Sequence, residues 1–194
     1  MAELLPLFGF VFFGLFSPGP NVILLTASGA RFGFRATVPH ILGVAFGVGV
    51  IAGLVGLGLG ALLHRFPALS LALKIAACLW ILWMAVNLWR AKAAKQKAAG
   101  DKPFTFLQAV LFQWVNPKIW AVALSAVAYV ASLPAGNQAV ILALTFSGIN
   151  LGVCLFWAWA GSLLSLLLSQ PLAWLIFMRI MAVVLAGFSL AVFL

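Results

Sequence analysis

Six long apolar stretches joined by short connections dominate this chain and leave it few ways to fold. They run over about residues 4–30, 38–63, 68–91, 104–132, 137–167 and 171–193. A helix crossing a hydrocarbon core of about 30 Å needs about 20 apolar residues, and each stretch supplies them. Proline, polar and charged residues mark the breaks: Arg31 to Pro39, His64 to Pro67, Arg90 to Pro103, Leu133 to Asn137 and Ser169 to Pro171. Short segments of alternating polarity, the mark of a membrane β-barrel, do not occur. Only 7% of the residues are charged, against about 25% in a soluble domain. The chain is therefore expected to be an all-α integral membrane protein with the lipid bilayer as its solvent. Its first stretch begins with Glu3 and neither Lys nor Arg, and Pro18 and Pro20 interrupt it, so it reads as a retained span.

The net charge of +9 does not signal a nucleic-acid partner, because the charges sit mainly in connections between apolar runs. Arg31, Arg35, Arg90, Lys92, Lys95, Lys97 and Lys102 fall in the first and third connections, whereas the opposite side has only Arg65. The positive-inside rule places those two connections in the cytoplasm and both termini outside. Cys78 and Cys154 lie within apolar segments and read as small core residues.

Six spans divide into two sets of three, residues 1–91 and 104–194, joined by the basic connection 92–103 within one membrane domain. A unit with an odd number of spans must insert its two copies in opposite orientations. Gly43 and Gly47 in the second span match Gly148 and Gly152 in the fifth, an offset of 105 residues. Lys74 and Arg179 match at the same offset and are candidate gate or packing residues. The glycine pairs predict close helix packing within the protomer, and six short helices are also compatible with a homodimer.

The leading span of each set carries helix breakers deep inside it: Ser17-Pro18-Gly19-Pro20-Asn21 and Val115-Asn116-Pro117-Lys118. A broken helix frees backbone N–H and C=O groups, which persist in a membrane only where protein or a polar cavity receives them. Paired interruptions in inverted halves point to a transporter's substrate site, where a single proline would suggest only a kink. Lys118 is the deepest charge, and a cation there costs at least about 2.5–3.5 kcal/mol. Carbonyls released at Pro117, a wet cavity or a bound anion are the candidates that offset this cost. Asn21 and Asn116 offer donors and acceptors, and helices starting at Pro20 and Pro117 present backbone donors. Such a set suits a small zwitterion, with its carboxylate at Lys118 and the helix ends. His40 and His64 lie near helix ends and read as interface residues. No intramembrane Asp or Glu is available to carry a proton, and no metal-ligating or nucleophile–base constellation occurs. The chain is accordingly expected to be neither an enzyme nor a holder of metal or cofactor.

SPGPNVILLTASGARFGFR in the first span and FQWVNPKIW in the fourth resemble the lysine exporter (LysE/RhtB) family of amino-acid exporters. Six spans and a basic central connection agree, so the resemblance covers the whole chain. Asn after Pro-Gly-Pro is most similar to the cysteine and O-acetylserine exporter branch. The resemblance implies efflux of small amino acids or related metabolites across a bacterial inner membrane by alternating access. It marks Pro18, Gly19, Pro20, Asn21, Asn116, Pro117 and Lys118 as motif positions. Many members have Asp where this chain has Asn21, which removes an aspartate-based proton route. The rival reading is a channel or facilitator for small polar solutes.

Overall fold

The computed structural model of the protein describes residues 4–59, 65–90, 102–167 and 170–191. Among the described residues eight α-helices follow in order: α1 (Leu5–Phe16), α2 (Pro20–Phe32), α3 (Phe34–Gly56), α4 (Pro67–Trp89), α5 (Phe106–Trp114), α6 (Pro117–Ala126), α7 (Ala135–Leu167) and α8 (Pro171–Ala191). A 3-10 turn, Val127–Val130, continues α6. No strand occurs among the described residues. Among the described residues, Phe34–Gly56 and Ala135–Leu164 are each long and apolar enough to cross a membrane, and the bent pairs α1–α2 and α5–α6 raise that number to as many as four. Lys74's side chain, His64, the basic residues Lys92, Lys95 and Lys97, and Asp101 lie outside the described residues.

Both helix interruptions occur where the sequence predicts them. The chain turns by 57° between α1 and α2 and by 65° between α5 and α6. Proline is the first helical residue of α2 and of α6, the one place where its missing N–H costs nothing. The connection expected at Arg31 to Pro39 is instead almost wholly helical. Gly33 alone separates α2 from α3, at φ 84°, a left-handed conformation that glycine adopts without a side-chain clash. Pro39 lies inside α3, and Thr37 Oγ1 donates to the Gly33 carbonyl at 2.9 Å nearby. His40, expected at an interface, is buried on α3 and stacks on Phe104 with ring centroids 4.9 Å apart.

Packing puts α2 in the interior, with every residue from Pro20 to Ala30 buried. Its Leu25 joins a core formed by α1, α3, α6 and α7, including Leu7, Val11, Ile41, Val48, Ala123 and Phe146. On the other side Ile23, Leu24 and Ala27 join a second core, with Ile81 and Met84 of α4 and Trp174 and Met178 of α8. The outer faces are apolar: Leu5, Phe13, Leu79, Leu144, Leu172 and Val183 are each more than 60% exposed. Water would disfavour so much exposed apolar surface, while lipid accommodates it.

Glycines set the closest helix approaches. A Cβ on Gly43 would sit 2.4 Å from the Phe106 carbonyl oxygen, and one on Gly47 3.0 Å from Val110 Cα, so this pair seats α5 against α3 as expected. The matching pair behaves differently. Gly148 and Gly152 are exposed on α7 with nothing within 4 Å of a Cβ, which corrects the expectation that they pack within the protomer. Sequence equivalence does not reveal which side of α7 meets its neighbours. The tight crossing of α2 and α7 uses Gly29 and Gly161 instead. Because alanine favours helix over glycine by up to about 1 kcal/mol, Gly148→Ala and Gly152→Ala should leave thermal stability in detergent unchanged or slightly raised. Melting curves of the purified variants check this.

Candidate functional site

Each break places unsatisfied backbone groups beside the other. At the first, Ser17 N–H donates to the Phe13 carbonyl and Ser17 Oγ to the Gly14 carbonyl at 3.1 Å, closing the end of α1. The Ser17 and Pro18 carbonyls remain, and Lys118 reaches across from α6 to take them. Its Nζ donates to the Ser17 carbonyl, to Ser17 Oγ at 2.9 Å and to the Pro18 carbonyl at 3.3 Å. The carbonyls that offset burial of this cation therefore belong to the opposite half, not to Pro117. At the second break, Val115 and Asn116 N–H groups donate to the Phe112 and Gln113 carbonyls, both at 3.2 Å. Trp120 Nε1 takes the Trp114 carbonyl at 2.9 Å. This places Trp120 as a seal on the break.

Gly19 makes the crossing possible. Its backbone is extended, which any residue tolerates, but a Cβ would lie 2.6 Å from Lys118 Cδ and 3.0 Å from Nζ. Glycine here leaves room for the present position of the Lys118 side chain.

A second bridge joins the two halves. Asn21 Nδ2 donates to Gln113 Oε1 at 2.8 Å, and Gln113 Nε2 donates to Asn21 Oδ1 at 3.3 Å and to the Ala109 carbonyl at 2.8 Å. Both side chains are buried. Leaving a buried amide unsatisfied costs about 1–3 kcal/mol, so Asn21→Leu or Gln113→Leu alone should destabilise the fold by about that amount. The double variant should cost less than the sum, and a double-mutant cycle on melting temperature measures the difference.

Between the breaks lies a small cavity, open at its mouth, with room for little more than water. Its polar lining is Asn21, Asn116, Lys118 and Asn150, with Gly19 beside them and Leu15, Val22 and Ile119 as apolar walls. Neither α2 nor α6 has a side-chain N-cap, so their first N–H groups and positive dipole ends lack that protein partner. Asn116 and Asn150 are buried, and the Asn116 amide nitrogen and oxygen and the Asn150 amide nitrogen lack hydrogen-bond partners. Lys118, the half-helix ends and the absence of an acidic side chain from the lining make this a cationic, donor-rich site suited to a carboxylate.

The motif residues Gly19, Asn21, Asn116 and Lys118 thus converge on one cavity. Pro18 contributes its carbonyl, and Pro20 and Pro117 start the two half-helices. Gln113 and Asn150 were not singled out from the sequence, although each is an amide in an apolar run, the signal that could have found it. Arg179 does not line the cavity: its guanidinium lies 5.3 Å from the Trp89 ring centroid, an exposed packing contact.

The chain is similar to several bacterial efflux proteins. The homoserine/homoserine lactone efflux protein of Salmonella typhimurium is 30% identical over 106 residues, covering 53% of this chain and 52% of the relative. The threonine efflux protein of Salmonella typhi is 28% identical over 112 residues, covering 54% of each. The threonine efflux protein of Escherichia coli K12 is 24% identical over 168 residues, covering 82% of this chain and 72% of the relative. The chain thus spans about half the length of the first two relatives. No solved structure matches it. The family model described as LysE type translocator matches residues 12–194, nearly the whole chain, and the chain therefore belongs to that family of translocators.

Proposed function

We propose that the chain is a secondary transporter exporting small amino acids or related metabolites across the bacterial inner membrane by alternating access. In this reading it has six spans in two inverted three-helix repeats, with both termini outside and the first and third connections in the cytoplasm. The pairing of corresponding helices supports the repeat: α3 packs on α7, and α4 on α8. The observation that carries the proposal is Lys118 bridging the two breaks beside a cavity with unpartnered amides. The substrate carboxylate binds at Lys118 and the half-helix N-termini, near the bilayer midplane. The relatives' names, homoserine and threonine efflux, support short amino acids with a polar side chain as substrates.

The test is a panel of radiolabelled amino acids in proteoliposomes holding the purified protein. A carrier gives saturable uptake accelerated by the same amino acid on the opposite side. A pore gives flux without that acceleration, which would favour the channel reading and reject this one.

A further inference from the structure

We propose that α4 and α8, which pack on each other, hold the phosphate of an anionic phospholipid on their outer surface. Arg179 binds the anion, and the ring of Trp89 positions the arginine. Neither residue lines the cavity between the breaks, so the site stands whether or not the chain exports amino acids.

Arg179 lies in the third turn of α8, roughly 12 Å along the axis from Pro171. It is exposed, and so are Ile176 and Val183, which share its face at helical spacing. A cation on such an apolar surface is stable in a bilayer only when it reaches the headgroup layer or meets an anion. No carboxylate occurs among the described residues, because the chain's two acids are Glu3 and Asp101. The guanidinium rests instead against Trp89, the last residue of α4, 5.3 Å from the ring centroid. A ring face attracts the charge but accepts little from the five N–H donors at the guanidinium edge. Those donors have no accepting oxygen among the described residues.

Position decides what the donors meet. Trp89 is exposed at a helix end, where tryptophan sits at headgroup level. Arg90 follows it directly, exposed, where the basic connection begins. Two exposed guanidinium groups without a carboxylate make this spot net positive, so the complementary ligand is net negative. The planar guanidinium fork matches a pair of phosphate oxygens. Trp83 and Val86 form an exposed apolar row on α4 leading to this spot, a surface for acyl chains. Only an amphiphile satisfies both the charge and the row, which selects a phospholipid over free phosphate.

Native mass spectrometry of the purified protein in detergent, titrated with dioleoylphosphatidylglycerol, measures the affinity. Arg179→Gln should weaken binding about tenfold, the ratio expected for one hydrogen bond to a charged group. Trp89→Leu keeps the charge but frees it from the ring, and should weaken binding about threefold. Arg35→Gln removes an exposed charge at the start of α3 and should leave the affinity unchanged. Dioleoylphosphatidylcholine should bind more weakly than the anionic lipid, and inorganic phosphate should not displace it. Wild-type affinity in Arg179→Gln or Trp89→Leu overturns the proposal. So does a loss in Arg35→Gln equal to that in Arg179→Gln, which would mean diffuse attraction to the basic end. Equal binding of phosphatidylcholine, or displacement by inorganic phosphate, overturns it as well. Melting temperature without lipid, expected to match the wild type in Arg179→Gln, keeps a folding defect apart from a binding one.

Discussion

Lys118→Ala is expected to lower amino-acid counterflow by at least about 10-fold while the protein still inserts and purifies. A hydrogen bond to a charged group is worth about 1.5–3 kcal/mol, and the lower figure corresponds to about 10-fold. The Lys118 ammonium faces only neutral oxygens, the Ser17 and Pro18 carbonyls and the Ser17 hydroxyl. Its charge remains uncompensated by these contacts and available to a carboxylate. The same substitution leaves those carbonyls without their donor, so some loss of stability accompanies the loss of transport. Lys118→Gln separates the two effects, since an amide still donates to the carbonyls but carries no charge. Stability should recover with Lys118→Gln and transport should not. Wild-type exchange from Lys118→Gln would make the lysine a cap and remove it from the substrate site. Gly19→Ala offers an independent check, because its Cβ would intrude on Lys118 Cδ and displace the flexible side chain without disturbing the fold. Its transport should fall, though less than that of Lys118→Ala.

The second large effect concerns stability. Gly29→Ala would set a Cβ 2.1 Å from the Ala158 carbonyl oxygen, and Gly161→Ala one 2.2 Å from that of Thr26. These obstacles are backbone atoms within helices, so relief requires α2 and α7 to separate. Overpacking ordinarily costs about 1–3 kcal/mol, and a backbone obstacle belongs at the upper end. For a chain of this size that corresponds to a fall in melting temperature of about 6–12 °C. Thermal unfolding in detergent, read by monodispersity, checks both variants against the exposed Gly148→Ala. A melting temperature equal to wild type in either would mean that the α2–α7 crossing is looser than described.

Much of this arrangement was legible in the sequence, and the reason is the bilayer itself. Proline-rich breaks inside apolar runs violate so strong a constraint that their existence and position could be read directly, as Pro20 and Pro117 show. Convergence of Gly19, Asn21, Asn116 and Lys118 followed from the same reasoning. What a helical sequence conceals is which face meets which neighbour. Hydrophobicity is nearly uniform around these helices, so Gly148 and Gly152 looked equivalent to Gly43 and Gly47 but point away from the protein. Gly29 and Gly161, which do set a crossing, carried no local mark. The partner of Lys118 was hidden for a different reason. Its acceptors lie 101 and 100 residues away in sequence, and only tertiary structure brings them within reach. Arg35 and Pro39 suggested a loop because charge and proline usually end a helix, yet α3 begins before both.

Gly33 has a mechanical consequence. One residue is a short tether, so the end of α2 and the start of α3 stay close together and can change their mutual angle only about this glycine. Between α6 and α7 the 3-10 turn Val127–Val130 and the bend after it provide slack. The two connections are therefore unequal: a single glycine joins α2 to α3, whereas several residues separate α6 from α7.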